Sequence, residues 1–545
     1  MLTKTFVTIL ISAGLLSLVS AQEAFTTEDI RAAARLMGLQ FENQEIDSMS
    51  AKLEGYLDDY SDNREIKLNN SIPPAAYFKP FPIGFEISER EDIIDFGDEK
   101  TERPDDINDL AYYSISQLGH LIKSRQITSV ELTKFYLKRL LQHDATLHCV
   151  ITYTEDRALR QARMMDDEIA SGRYRGPLHG IPYGIKDLFA TKGYKTTWGA
   201  MPYKDQIIDV DAAVVEKLDA AGAVLIAKLT LGALAWGDVW YGEQTRNPWD
   251  PETGSSGSSA GPAAAVSAGL VPFAIGTETL GSIVSPSTVC GTTGLRPTFG
   301  RVSRYGAMAV SWTMDKTGPI CRSAKDCAIV FNVIRGKDPR DMSTIDAPFS
   351  YEYKHNNDTL TIGYVSSVFD GNYPFKMQDS TALELLRGLG ITLKLVELPD
   401  YPSITFILGV EAAAAFDDLT RSGDDDLMVR QIQNAWPNSL RATRFVPAVE
   451  YIQAMRLRTL LIEEMADLYE EVDIIAHPSF ASSMLWITNM TGHPTVVVPN
   501  GFRDGLPTSI SFSGRLFEEG VLLRLAQAYQ DATEWDEMHP VEFRN

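Results

Sequence analysis

"TGSSGSSAGP" (Thr253–Pro262) holds four serines and three glycines in ten residues, the composition of a flexible linker. A linker joins two self-contained domains and stays polar on both sides. This stretch does neither. It runs straight into "AAAVSAGL" (263–270), a helical run with Pro262 at its first turn. "VPFAIG" (271–276) follows as a short apolar strand, and "TETLGSIVSP" (277–286) as a second turn of small residues. Small residues at a helix start and a strand end let backbone approach a ligand closely. Residues 223–320 carry no domain-break signal, so the stretch reads as the inside of a site within one domain.

Outward from it, strand-like and helical patterns alternate. "GAVLIAKL" (222–229), "VDIIA" (472–476), "PTVVVP" (494–499) and "TSISFS" (508–513) read as buried strands. Ser129 is expected to cap a helix through Leu132, Tyr136 and Leu140, and "EEGVLLRLAQAYQDA" (518–532) closes the chain as a helix. From Asp109 on, the alternation predicts one layered α/β domain, residues 109–545, with a central sheet covered by helices. Ahead of it, residues 22–108 form a helical N-terminal segment and connection. Two amphipathic helices are predicted over 26–60, with a Thr26–Asp29 capping box and Gly38 closing the first. Residues 61–108 turn polar and proline-rich, an irregular connection across a surface.

Composition narrows the function. Of 545 residues 44% are hydrophobic and 23% charged, ordinary for a soluble enzyme. The formal charge of −23 repels phosphate backbones, so nucleic acid is not expected as a partner. Cys149, Cys290, Cys321 and Cys327 lack metal-ligand spacing; a Cys321–Cys327 bridge stays open. No metal and no cofactor is expected. Residues 1–21 read as a signal peptide: Lys4, an apolar run from Phe6 to Val19, and a small-residue Val19-Ser20-Ala21 end. That run is shorter than a spanning helix requires, and no later segment is apolar enough to span. The mature chain is expected to be exported, periplasmic or secreted. Asn69, Asn357 and Asn489 lie in N-x-S/T triplets.

Two nucleophile readings compete. Gly257-Ser258-Ser259-Ala260-Gly261 is a G-x-S-x-G match, which would make Ser259 the nucleophile of a Ser-His-Asp esterase. That elbow needs a buried strand leading into it, and "NPWDPETGSS" (247–256) is no strand. Nothing in the sequence chooses among His477, His493 and His539 as its base. The second reading joins "GPLHGIPYGIKDLF" (176–189), "GSSGSSAGPAAAVSAGL" (254–270) and "IGTETLGSIVSPSTVCGTTGLRPTFGRVS" (275–303). In that order they resemble the amidase signature family of serine hydrolases, and the spacing from Ser258 to Ser282 matches the family motif without a gap. "RNPWDP" (246–251) and "TGHPTVVVPNGF" (491–502) are also similar to family segments. The likeness runs from about Asp109 to the C-terminus and implies the family's fold with a mixed sheet.

The resemblance also implies roles. Ser282 attacks the amide carbonyl, Ser258 relays the proton and Lys186 is the ultimate base, with an acyl-enzyme on Ser282 released by water. Lysine can be a base only when its amine is neutral, and burial favours that form. A hydroxyl both donates and accepts, so Ser258 can link an amine to a second hydroxyl. Family members carry a cis peptide before this serine, here Gly257–Ser258. The oxyanion hole falls to the N–H groups of Thr279, Leu280, Gly281 and Ser282. Leu280 stands where the commonest family pattern has glycine, and Ala260 likewise; a leucine forced to positive φ would be strained. Taken singly, Lys186 would be a surface lysine, Ser258 a helix cap and Ser282 a turn residue. Asp187 and His179 read as structural. Trp198, Trp236 and Trp240 line an acyl pocket or pack the core.

The implied function is hydrolysis of a carboxylic amide to acid and amine or ammonia, by a hydrolase of linear carbon–nitrogen bonds other than peptide bonds. Its partner is a small-molecule amide. The exported start argues against the family's tRNA-linked transamidation. Residues 22–108 either cover the site or make a homodimer contact. The non-enzyme alternative is a ligand-binding member of the fold, to which Leu280 would be the clue.

Overall fold

The apolar runs become the middle of an eleven-stranded sheet in the computed structural model, which describes residues 25–353, 357 and 359–544. Its strands are β1 (Val150–Tyr153), β2 (Pro182–Lys186), β3 (Val224–Leu229), β4 (Ala274–Glu278), β5 (Thr293–Arg296), β6 (Lys316–Cys321), β7 (Thr361–Tyr364), β8 (Thr392–Leu395), β9 (Ile474–Pro478), β10 (Thr495–Arg503) and β11 (Leu506–Gly514). Their spatial order is β8-β7-β9-β11-β10-β5-β6-β4-β2-β3-β1. The sheet is mixed. β2 runs parallel to β3 and β4, while β10 and β11 form an antiparallel pair with each other.

Helices cover both faces. β2, β3, β6 and β9 are buried at every position. Burial on both faces is why β3 and β9 read as apolar runs rather than alternating ones. β2 ("PYGIK") and β6 ("KTGPIC") are broken by Pro, Gly and a buried Lys and do not read so. The C-terminal helix Glu519–Asp531 buries Leu522, Leu523, Leu525 and Ala526.

Contacts divide the chain at Leu68/Asn69. In the first unit, helices Thr27–Leu36 and Asn43–Arg64 form as expected, and Thr26 and Asp29 make both bonds of the capping box. Gly38, at φ 68°, follows the C-cap of the first helix. In the second unit, the connection after Asn69 is irregular but fixed. Asn70 exchanges hydrogen bonds with the backbone of Ala309 (2.8 and 2.9 Å). The short strand Ile93–Asp95 pairs with Ser350–Glu352.

Several local expectations change. The helix cap at 128/129 is Thr128, whose hydroxyl accepts from Glu131 N–H. Ser129 instead donates to the Gly180 carbonyl, 2.9 Å away. All four cysteines are free thiols and buried, so Cys321 and Cys327 are not bridged. Asn489 is fully buried, its Nδ2 bonded to Glu278 and Leu485, so folding closes that triplet to glycosylation. The signal peptide assigned to residues 1–21 lies outside the described residues. Among the described residues no helix is long and apolar enough to cross a membrane.

Candidate active site

The C-terminal ends of parallel strands β2 and β4 meet at one point, the usual place for a site in an α/β sheet. Lys186 is the last residue of β2, and the turn "TETLGS" (277–282) leaves β4. Between them comes the start of helix Ala260–Ser267, preceded by Ser258 and Ser259. Close approach needs small residues. A Cβ on Gly276 would stand 2.7 Å from Ser259 Oγ, and one on Gly257 only 1.9 Å from the Gly237 carbonyl oxygen.

Lys186 is sealed from solvent. Its Nζ lies 2.8 Å from Ser258 Oγ, 2.9 Å from Thr277 Oγ1 and 3.1 Å from Ser259 Oγ. Among the described residues no carboxylate touches it. Burial pushes its ammonium well below the ordinary lysine range, against a weaker opposite pull from Asp315 and Glu278. The peptide bond Gly257–Ser258 is cis.

Ser282 is 8% exposed, the most open of the three. Its carbonyl accepts from Ser259 N–H at 3.2 Å, which ties the two turns together. The relay is half assembled: Lys186 and Ser258 are hydrogen-bonded, whereas Ser258 and Ser282 are not. Catalytic hydrogen bonds are commonly loose before substrate arrives.

The turn ahead of Ser282 presents backbone donors. Among the described residues no acceptor takes the N–H groups of Leu280, Gly281 or Ser282. Left-handed backbone falls on Gly281 (φ 81°) and not on Leu280, so leucine is accommodated there without strain. Thr279 is anchored through its hydroxyl to Asp315 Oδ1 at 2.6 Å.

Sequence reasoning passed over the residue that holds this turn. Glu278 is fully buried, and its Oε2 accepts from the N–H groups of Ile283 (2.8 Å) and Val284 (3.0 Å). Its Oε1 takes Arg296 and Asn489, both at 2.8 Å. Burial opposes this carboxylate, but Arg296 and the hydrogen bonds hold it down at about 2. The available signal was a lone charge inside a run of small residues.

Of the other candidates, Asp187 and His179 bond to groups outside the cluster. Asp187 pairs with Lys228 (2.8 Å) and accepts from Thr197 N–H and Oγ1. His179 contacts the Met165 carbonyl at 3.0 Å. Ser259 is fully buried, and its hydroxyl bonds to Thr277 N–H (3.2 Å) and carbonyl (3.1 Å) besides Lys186. None of the three nominated histidines reaches it: His477 contacts Ser513, His493 contacts Thr491, and His539 stacks on Tyr112. Among the described residues no hydrogen bond or ring contact joins the three tryptophans to Lys186, Ser258 or Ser282. Trp198 packs on Tyr203, Trp236 lies under Arg430, and Trp240 contacts Tyr241.

Comparison with known proteins bears on the family and the fold. The family model described as Amidase matches residues 131–485. A glutamyl-tRNA(Gln) amidotransferase subunit of Chloroflexus aurantiacus is 35% identical over 80% of this chain and 99% of its own. The peptide amidase of Stenotrophomonas maltophilia superposes with a TM-score of 0.69 at 29% identity, over 78% of this chain and 98% of that one. A bacterial aryl acylamidase of the amidase signature enzymes shares the fold: TM-score 0.69, 23% identity, 79% of this chain and 98% of that one.

These relatives correct one expectation. The sequence reading confined the chain to hydrolases of linear carbon–nitrogen bonds other than peptide bonds. That confinement is overturned by curated relatives that are amidotransferase subunits. The physical reason is that groups able to open a carboxamide do not themselves specify what takes up the released nitrogen.

Proposed function

The chain belongs to the amidase signature family, and on that premise we propose that it opens a carboxamide through an acyl-enzyme on Ser282. Amide resonance protects the carbonyl and the amine leaves badly, so the serine needs a base and the nitrogen an acid. Neutral Lys186 draws the Ser258 proton, and Ser258 draws that of Ser282 as its hydroxyl attacks. The N–H groups of Leu280, Gly281 and Ser282, with that of Thr279, receive the oxyanion. Ser258 then returns the proton to the departing nitrogen, and water releases the acyl group as the acid.

The observation that carries this reading is the Lys186 amine, buried without a carboxylate partner among the described residues and 2.8 Å from Ser258 Oγ. Lys228, equally buried, is instead paired with Asp187. Lys316, also buried, has no carboxylate partner among the described residues and bonds only the Met314 carbonyl. Lys186 alone of the three meets serine hydroxyls. The test is labelling by a fluorophosphonate probe, mapped by peptide mass, beside a panel of carboxamides assayed for acid and amine release. The expected result is a label on Ser282 and loss of both label and turnover in Ser282→Ala. Full turnover in Ser282→Ala, or a label on Ser259, overturns it.

A further inference from the structure

We propose that Leu485 and Leu280 form the wall against which the substrate's acyl portion lies, and that this acyl portion is apolar. The inference rests on the amide-opening reading above and adds its substrate class. A Cβ placed on Gly281 would meet a single atom within 4 Å, the Cδ2 of Leu485 at 3.4 Å. Leu485 therefore stands within van der Waals reach of the turn whose N–H groups are free. It is only half-buried, and so is Leu280 on that turn. Two half-buried leucines flanking unpaired backbone donors leave apolar surface at the point where a carbonyl would be received.

The position of Leu485 is fixed by the network that fixes the turn. Asn489, one helical turn further on, donates to the Leu485 carbonyl and to Glu278 Oε1, both at 2.8 Å. Glu278 in turn holds Ile283 and Val284 beside Ser282. Leu280 packs on an apolar cluster that includes Met314, Met484 and Ile487. The polar groups of Glu278 and Asn489 are directed inward, to each other and to Arg296.

Chemistry assigns this wall to the acyl side. The leaving nitrogen must face Ser258 to receive its proton. Ser258 lies toward Lys186, and the residue before it packs on Gly237. The acyl portion is the remaining substituent of the carbonyl, and the apolar surface beside the turn that receives that carbonyl is Leu280 and Leu485.

The test uses the full chain and two probe series. Alkyl fluorophosphonates from methyl to octyl report labelling of Ser282. Acyl p-nitroanilides from acetyl to octanoyl report turnover with the amine held constant. Labelling and kcat/KM should rise by about threefold for each buried methylene. Leu485→Ala should flatten that slope, Leu485→Asp should invert it, and Leu485→Met should keep it as the control for folding. Slopes unchanged in both the alanine and aspartate variants overturn the inference. Labelling of Ser282 with no chain-length dependence overturns this inference alone. Absence of any label on Ser282 overturns the amide-opening reading and this inference with it.

Discussion

The Nζ of Lys186 and the Oγ of Ser258 lie 2.8 Å apart, and both residues are closed to solvent. Lys228, equally buried one strand away, is paired to Asp187 at 2.8 Å. The same side chain thus meets two environments. One supplies a counter-charge, and the other supplies only hydroxyls and a carbonyl. The second favours a neutral amine, which is the form a base requires.

The first prediction concerns rate. With Lys186 depressed by burial, kcat/KM should climb as pH rises through that lowered value and level off above it. Lys186→Ala should lose about a thousandfold or more while keeping its circular dichroism spectrum. A steady-state pH profile on an amide substrate checks both. A flat profile, or full activity in the variant, contradicts the assignment.

The second prediction concerns stability at the same residue. The folded-state value lies well below the unfolded 10.5. Between the two, the unfolded chain binds more protons, so stability increases with pH across that window by up to about 1.4 kcal/mol per unit. Lys186→Met should therefore be more stable than the parent at neutral pH, with the gap closing toward pH 10.5. Denaturant melts at several pH values measure it.

The third prediction has the same slope with pH but concerns a group that stabilises at neutral pH, where charged Lys186 would be opposed by burial. Glu278 is held at about 2, below its unfolded 4.5. Its contribution is complete above the unfolded value and is lost as pH falls toward the folded one, on the order of 3 kcal/mol. Glu278→Gln leaves Arg296 buried without its partner and should cost about 3–5 kcal/mol. Its acid unfolding limb should also be flatter than the parent's. Activity should fall as well, since the amide has one acceptor oxygen and can serve either Arg296 and Asn489 or the N–H groups of Ile283 and Val284 that shape the turn, not both.

Legibility of the sequence followed the range of the interactions. The capping box at Thr26 and Asp29 was readable because its partners are three residues apart. β3, β9 and β10 were readable because buried strands are rich in consecutive apolar residues, and β11 because Ile510 and Phe512 alternate with serines. The order of the sheet was not, since β2 lies between β3 and β4 through contacts that local pattern does not carry. The positions of Lys186, Ser258 and Ser282 came from resemblance, because singly each has a duller use. The support for the turn was legible only in Glu278, a lone charge among small residues; its partners Arg296 and Asn489 converge on it from far along the chain. Leu485 is one apolar residue among many until the fold sets it against Gly281. The tryptophans stayed ambiguous for a related reason, since large aromatics pack cores as readily as they line pockets.

The fourth prediction concerns Gly257. A Cβ there would come within 1.9 Å of the Gly237 carbonyl oxygen and 2.5 Å of its carbon. Backbone cannot yield as a flexible side chain can, so Gly257→Ala must displace one of the two segments. The expected cost is at least about 2 kcal/mol, with activity reduced because Ser258 moves away from Lys186. Thermal melts and kcat/KM together test it. Gly388→Ala, where an added Cβ meets nothing within 4 Å, serves as the tolerant control.

The last prediction separates the two serines that precede helix Ala260–Ser267. Ser259 Oγ is 3.1 Å from Lys186 Nζ, close to the 2.8 Å of Ser258, so distance alone does not distinguish them. Their other partners do. Ser259 is occupied on both sides of its hydroxyl, donating to the Thr277 carbonyl and accepting from the Thr277 N–H. A hydroxyl so committed holds Thr277, and through it Lys186, but has nothing left to pass a proton onward. Among the described residues Ser258 has Lys186 as its one hydrogen-bonded side-chain partner and so keeps capacity for a second. Ser259→Ala should therefore lower kcat by roughly tenfold through looser positioning, leaving the fluorophosphonate label on Ser282. Ser258→Ala should remove the relay and cost about a hundredfold or more, on the order expected for a proton-transfer group. If Ser259→Ala abolishes labelling while Ser258→Ala is nearly silent, the relay runs through Ser259 and the roles given to these neighbours are reversed.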